Sequence, residues 1–502
     1  MPLAVVRSRA LIGLQAPEVR VEVHLGNGLP AFHVVGLPHA EVRESRDRVR
    51  AALLHAGFDF PNRRLTVNLA PADLPKKSGR FDLPIAIGIL AASGQLPAEP
   101  LDELELVGEL SLTGTIRPIH GALAMALAVA REKQPRTLLL PAGNGDEAAL
   151  VDGVRLLGAL DLAGVAAHLA GASPLECIRP APRTAATGGD GDFADVKGQA
   201  SAKRALEIAA AGAHNLLMVG PPGAGKSLMA QRLPTIQPSL TQDEALEAAA
   251  LASLAGRFRP CDWGRRPFRA PHHGASAAAI VGGGADPRPG EASLAHHGVL
   301  FLDELPEFGR HVLEALREPL ETGRISVARA AREVEFPARF QLVAAMNPCP
   351  CGHLGSEQCR CTPEQVRRYQ ARLSGPLLDR IDMLVTVRPV GETQLMQRER
   401  GEASAAIGAR VARARERQLA RQHRPNAFLG PTDIDLHCSL DDAAGALLRD
   451  VARRRHWSSR ALHRVQKLAR TIADLCERDA IATQDVAEAV GYRRAFDAVA
   501  RP

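Results

Sequence analysis

Leu216 to Ala230 reads LLMVGPPGAGKSLMA. An apolar run enters a glycine-rich turn, and helix-forming residues close the stretch, which is the strand–loop–helix setting of a phosphate-binding loop. Within it, Gly220, Pro221, Pro222, Gly223, Ala224, Gly225, Lys226 and Ser227 carry the full eight-residue pattern. The glycines let backbone N–H groups crowd around phosphates, the lysine neutralises the β/γ charge, and the hydroxyl ligates magnesium. The implied ligands are ATP and Mg2+, on an α/β domain built around a parallel sheet.

The flanking sequence extends this site. GVLFLDELPEF is an apolar strand ending in Asp303 and Glu304. A carboxylate there can serve magnesium and its neighbour can orient the attacking water. FQLVAAMNP ends at Asn347, which suits a water-positioning role, and LSGPLLDRIDM places Arg380 where it can reach a phosphate held by a neighbouring subunit. WSSRALHRVQKLARTIAD puts Arg460 at the start of a helix. A lone arginine is usually a solvated charge; the ordered series of five elements argues otherwise.

At 502 residues the chain is expected to hold several domains. Its +6 formal charge permits a nucleic-acid partner, and 3% aromatics argues against single-strand binding on stacking platforms. The apolar run Leu83 to Ala92 is interrupted by Pro84 and Gly88, so no membrane span is expected, and no secretory signal is legible at the N-terminus. A cytoplasmic location follows as an expectation. A Pro-, Gly- and Thr-rich stretch divides the chain into an α/β domain at 1–170, a linker at 171–192, an ATPase core at 193–391 and a helical lid at 392–502.

FRAPHHGASAAAIVGGGADPRPGEASLAHHGVLFLDELPEF, AAMNPCPCG and SGPLLDRIDM together resemble the ComM/YifB family of magnesium-chelatase-like AAA+ ATPases. The resemblance spans nearly the whole chain. It implies Walker roles for Lys226, Ser227, Asp303 and Glu304, Asn347 as first sensor, Arg380 as arginine finger and Arg460 as second sensor, acting in its own subunit or on its neighbour. It further implies a homohexamer and an N-terminal domain similar to the Lon protease. By this resemblance the protease's lysine position is Leu123 here and its serine position falls near Asp82, so an inactive scaffold or a DNA-binding collar is expected. Lys76, Lys77 and Ser78, neighbours on one loop, make a poor replacement dyad.

NPCPCGHLGSEQCRC, an insertion at 349–361, carries two C-x-C pairs separated by seven residues. Cys349, Cys351, Cys359 and Cys361 suffice for a closed structural zinc site, with His353 as a substitute ligand and free thiols as the alternative. Two further segments bear on the client. ARVARARERQLARQHR, 409–424, holds six arginines and reads either as a phosphate-tracking helix or as a solvated lid helix. RISVARAAREVEF, 324–336, alternates like a β-hairpin with Arg329 and Arg332 near its tip. In related helicases a hairpin here lines the pore, so these two arginines are the candidate DNA contacts, and 275–285 with the glycines that follow resembles a second pore insertion. Two functions remain open: a ring motor driving branch migration on branched or duplex DNA in natural transformation, or a protein-remodelling or metal-insertion ATPase. The Lon-like domain and cysteine cluster favour DNA; Glu304 argues against a scaffold without turnover.

Overall fold

Strict apolar alternation marks Glu18–Gly26 and Arg64–Ala70, whereas unbroken apolar runs mark Leu216–Val219 and Val299–Leu302, and the two pairs lie in different sheets. The computed structural model describes residues 3–36, 42, 44–76, 78–179, 191–284, 287–329, 332–391 and 401–496, with the backbone alone at 328, 329, 332 and 333. The chain forms two units: Met1–Ala185 with Ala245–Trp263 and Ala328–Val334, and Ala186–Glu244 with Gly264–Val327 and Glu335–Pro502.

In the first unit the strands are β1 (Leu3–Arg9), β2 (Glu18–Gly26), β3 (Ala31–Val35), β4 (Arg64–Ala70), β5 (Leu104–Leu106), β6 (Glu109–Leu110), β7 (Ile116–Arg117), β8 (Thr137–Pro141) and β9 (Leu156–Ala159). β6 and β7 pair as a small hairpin, and the others form one mixed sheet ordered β3-β4-β2-β1-β5-β8-β9. Val19, Val21, Val23 and Leu25 on β2, with Leu65, Val67 and Leu69 on β4, face the core, as period-two alternation requires. The helix Asp82–Ala92 is buried throughout and covers that face. Its Gly88 is a close-approach residue: a Cβ there would come within 2.6 Å of Val23 Cγ2.

Two segments are placed by their contacts within the first unit. The helix Gln242–Leu254 packs its alanines there. Ala249 and Ala250 are buried with Ala122, Leu123 and Met125 of the helix Ala122–Ala130. Gly121 N–H donates to the Ser253 carbonyl at 3.2 Å, fixing the arrangement. The first residues of the stretch read as linker also make contacts with the sheet. Cys177 bridges to Leu157, and Ile178 N–H donates to the Leu156 carbonyl at 3.0 Å, so this segment continues the sheet edge. At the other end Asp192 caps the turn Phe193–Asp195 by accepting from Ala194 N–H.

The second unit carries β10 (Leu216–Val219), β11 (Phe268–Arg269), β12 (Val299–Leu302), the hairpin strands β13 (Arg324–Arg329) and β14 (Arg332–Pro337), β15 (Gln341–Met346) and β16 (Met383–Thr386). Five of them form an all-parallel sheet ordered β11-β12-β15-β10-β16. β10, β12 and β15 are buried at every position, the signature of a parallel sheet covered on both faces. Helices Ser404–Gln422, Asp442–Arg455, Ser459–Leu475 and Thr483–Arg494 make the helical C-terminus. Val411, Val465, Leu468 and Ile472 join Ala205 and Ile208 of the helix Ala200–Gly212 in one core. Among the described residues, no helix is long and apolar enough to cross a membrane.

The fold makes a test of the helix Gln242–Leu254. Ala250→Leu forces extra methylenes into a filled interface and should cost about 1–3 kcal/mol of stability in the first unit. Thermal melting followed by circular dichroism should show the transition shifted down; an unchanged melting curve would remove Ala250 from that core.

Candidate active site

Three parallel strands deliver their C-terminal ends to one place, the crevice where sheets of this kind bind ligands. β10 runs into the phosphate loop, β12 into Asp303 and Glu304, and β15 into Asn347. The register sets them side by side, with β15 paired to β10 on one edge and to β12 on the other. Gly220 needs its missing side chain because a Cβ would lie 2.3 Å from the Val387 carbonyl oxygen. Gly223 and Gly225 sit at φ +74° and +85°, turning the loop so that the helix Lys226–Arg232 starts at the lysine.

These groups are connected. Lys226 Nζ donates to the carbonyls of Gly220 at 2.7 Å and Pro221 at 2.9 Å, and to Asn347 Oδ1 at 3.2 Å. Burial lowers its pKa, while Asp303 and Glu304 work in the opposite direction. Ser227 Oγ donates to Asp303 Oδ2 at 2.5 Å, and Asp303 Oδ1 accepts the Glu304 N–H at 3.0 Å. Residues 222–227 with Asp303, Glu304, Met346 and Asn347 line a cavity of about 370 Å³. Glu304 takes up φ +52°, a left-handed conformation that costs a non-glycine residue on the order of 1–3 kcal/mol. Such strain marks a side chain whose direction matters.

Arg380 and Arg460 are not brought to this cavity. Arg380 donates to Glu321 Oε2 at 2.5 Å, to the Pro376 carbonyl at 2.8 Å and to the Arg317 carbonyl at 3.2 Å. It lines a second cavity of about 980 Å³, and Arg460 lines the same one. The two arginines therefore belong together, apart from the phosphate loop of their own chain.

The cysteine insertion lies against the loop. Sγ of Cys349 is 3.4 Å from Cys351 and 4.0 Å from Cys359, Cys351 to Cys359 is 3.7 Å, and all four sulfurs including Cys361 lie within 4.8 Å of one another. A tetrahedral zinc thiolate has S···S edges of about 3.8 Å, so the donor set fits that metal. Backbone N–H groups of Arg360 and His353 pull the Cys351 thiol down to about 6, while burial pushes the Cys349 thiol up, so the four thiols are not equally ready to ionise. The group of four is complete without the His353 ring. Gly352, at φ +83°, makes the contact with the nucleotide site: a Cβ there would fall 2.4 Å from Pro222 Cδ.

The arginine-rich helix is occupied by its own chain. Arg410 pairs with Glu207 and Glu402, Arg413 with Glu477, Arg417 with Asp479, Arg421 with Asp474 and Arg424 with Asp433. Arg415 is buried and donates to the carbonyls of Ala211 and Ala210. These charges hold the lid together, and the phosphate-tracking reading of this helix is set aside. The side chains of Arg329 and Arg332 lie outside the described residues, although their strands form the expected hairpin.

In the first unit, Asp82 accepts from Arg48 Nε at 2.7 Å and Nη2 at 3.1 Å, and from Leu110 N–H at 3.3 Å. Burial raises its pKa to about 6 against the pull of Arg48. Leu123 is buried in its helix, Lys76 donates to the Pro71 carbonyl, and Ser78 Oγ accepts from Arg80 Nε at 2.8 Å. Reading the sequence missed His273, 3.3 Å from Glu304, and the Gly352 contact. The HH pair after β11, within the family signature, is the visible signal for the first.

Comparison with known proteins agrees along the chain. Family models match throughout: "Magnesium chelatase, subunit ChlI" at 192–395, "Subunit ChlI of Mg-chelatase" at 21–144 and "Magnesium chelatase, subunit ChlI C-terminal" at 401–493. The chain is similar to the uncharacterized protein YifB of Escherichia coli, 49% identical over 98% of this chain and 97% of that one. It is equally similar to the competence protein ComM of Haemophilus influenzae, 49% identical over 98% of each chain. Similarity to the magnesium-chelatase 38 kDa subunit of Rhodobacter capsulatus is 28% identity over 31% of this chain and 50% of that one.

The Gly352 contact can be tested directly. Gly352→Ala adds a Cβ at a left-handed position against Pro222 and should raise the dissociation constant for ATP about tenfold, a change of about 1.4 kcal/mol. Titration calorimetry with wild-type affinity in this variant would separate the insertion from the nucleotide site.

Proposed function

The chain belongs to the ComM/YifB family of magnesium-chelatase-like AAA+ proteins, and on that premise we propose that it is an ATP-driven DNA motor. It works as a homohexameric ring in the cytoplasm, translocates on DNA and drives branch migration of joint molecules during natural transformation. The observation that carries the ring is the separation of Arg380 and Arg460 from their own nucleotide cavity and their meeting in another. A chain so built lacks the transition-state charge that phosphoryl transfer needs until a second copy supplies it.

In this reading the phosphate loop's N–H groups and Lys226 hold the ATP phosphates. Ser227 and Asp303, already hydrogen-bonded to each other, would hold the Mg2+, which supplies charge neutralisation across the phosphates. Glu304 orients and deprotonates the attacking water, with Asn347 positioning it from the adjoining strand end. Arg380 and Arg460 act on the neighbour's nucleotide. Arg329 and Arg332 on the β13–β14 hairpin grip the DNA backbone as hydrolysis moves subunits relative to one another. The competence name of the Haemophilus relative supports the DNA client; a protein-remodelling or metal-insertion client is the outcome that would replace it. The four cysteines would hold a structural zinc that orders the insertion beside Pro222.

Steady-state ATP hydrolysis with and without a four-way DNA junction tests the reading. Stimulation together with resolution of the junction into two duplexes is expected; hydrolysis indifferent to DNA would move the assignment to a protein or metal client. Glu304→Gln should bind ATP and lose turnover by at least about a hundredfold. Arg380→Ala should lose turnover similarly, and mixing the two inactive variants should restore part of it, because some junctions then pair an intact Glu304 with an intact Arg380. No recovery on mixing would place Arg380 on its own subunit's nucleotide.

Elemental analysis should find one zinc per chain, lost in Cys359→Ser. A metal-free protein with full ATP affinity would return the cysteines to simple thiols.

A further inference from the structure

The strand that runs into the phosphate loop is preceded by an asparagine that touches Arg380. Asn215 lies immediately before β10, and its Nδ2 donates to the Arg380 carbonyl at 2.9 Å. Its Oδ1 accepts the Leu342 N–H of β15 at 2.8 Å, so one amide ties the segment bearing Arg380 to the central strand of the parallel sheet. The backbone joins in. Asn215 N–H donates to Asp382 Oδ2 at 2.9 Å, and its carbonyl accepts from the Asp382 and Met383 N–H groups at 3.0 and 3.1 Å.

The asparagine is held from behind by a second amide. Gln341, buried at the start of β15, donates to the carbonyls of Ala209 at 2.9 Å and His214 at 2.6 Å, and accepts from Gln237 at 2.7 Å. Arg380 has a looser footing. It follows the short helix Gly375–Leu378, and its N–H donates back to the Leu377 carbonyl at 2.9 Å, but its own carbonyl has left the helix and takes its donor from Asn215. Without that donor the backbone dihedrals at Arg380 are freer to turn, and turning them swings the whole side chain. Asn215 lines the cavity that Arg380 and Arg460 share, and the lining of the nucleotide cavity does not include it.

We propose that Asn215 is a positioning residue for phosphoryl transfer, whose side-chain amide sets the angle at which Arg380 is presented. It then serves the nucleotide that Arg380 serves, although it is joined directly to the strand leading to its own chain's phosphate loop. That this nucleotide belongs to a neighbouring copy rests on the ring reading; that Asn215 acts through Arg380 does not.

Steady-state ATP hydrolysis by the full-length protein tests this. Asn215→Ala should lower kcat about tenfold or more with KM and the dissociation constant for ATP unchanged, because a displaced charge weakens the transition state and leaves ground-state binding alone. Asn215→Asp keeps an acceptor for the Leu342 N–H and loses the donor to Arg380, so it should fall as far. A loss confined to Asn215→Ala would assign the effect to the β15 tie and overturn the proposal, as would wild-type kcat in both variants or weakened ATP binding. Adding Asn215→Ala to Arg380→Ala should cost no further turnover; a further loss would show that Asn215 acts by another route.

Mixed variants separate the two directions in which Asn215 could act. Asn215→Ala mixed with Glu304→Gln should turn over faster than the sum of the two alone, because some junctions then pair a sound Glu304 with a well-placed Arg380. Asn215→Ala mixed with Arg380→Ala should show no such gain. The reverse pattern would place the effect of Asn215 on its own phosphate loop, and gain in neither mixture would return Asn215 to the fold alone. If Glu304→Gln and Arg380→Ala themselves fail to complement, the ring reading fails, and the double variant still decides whether Asn215 acts through Arg380.

Discussion

The cavity at the end of the parallel sheet is organised by a partly buried ammonium. Lys226 sits where burial disfavours its charge, and the structure compensates with two loop carbonyls, the Asn347 amide oxygen and the nearby Asp303 and Glu304. These partners arrive from the ends of three strands, so the site exists only if β10, β12 and β15 keep their register. Those strands are buried at every position, and close packing on both faces of the sheet holds their side chains in place. Packing of the sheet and chemistry of its edge are in this sense one constraint.

Much of this was legible in the sequence because the relevant signals are local. The phosphate loop's glycines meet conformational and steric demands that glycine alone satisfies, and fully apolar strand runs separate a covered parallel sheet from the alternating strands of the first unit. The hairpin at 324–336 announced itself by alternation. What stayed hidden depends on partners distant in sequence. An alanine-rich helix such as Gln242–Leu254 has no side chain large enough to declare its surroundings, so nothing in its pattern says that Ala249 and Ala250 pack beside Leu123. His273 was hidden for a related reason: what marks it is a contact with Glu304, and a histidine pair after a strand has many uses.

The arginine-rich helix Ser404–Gln422 shows how composition misleads about partners. Six arginines within sixteen residues suggest a polyanion, yet the structure answers them with Glu207, Glu402, Glu477, Asp479, Asp474 and Asp433, and Arg415 with two carbonyls. Exposed pairs of this kind contribute little each. Arg421 differs, since it meets a fully buried Asp474 that also accepts from Arg470 and Asn426. Removing one member of that network would strand a buried charge, so the helix is bound to the lid by a few interior contacts and merely decorated by the rest.

A similar interior contact bears on the proposed ring. Asp382, two residues beyond Arg380, is buried; burial alone would raise its pKa, but Arg464, His214 and the Asn215 N–H hold it well below the usual carboxylate range. Arg464 is one turn beyond Arg460 on the same helix and hydrogen-bonds Asp382 directly. The segment bearing Arg380 and the helix bearing Arg460 are therefore joined by a charge pair that neither partner can leave without cost. His214, whose Nε2 meets Thr471 Oγ1 at 2.7 Å, adds a second tie between the base of β10 and that helix. Arg380 and Arg460 are thus fastened to one framework, and His214 links that framework to the base of β10, the strand that leads into the chain's own phosphate loop.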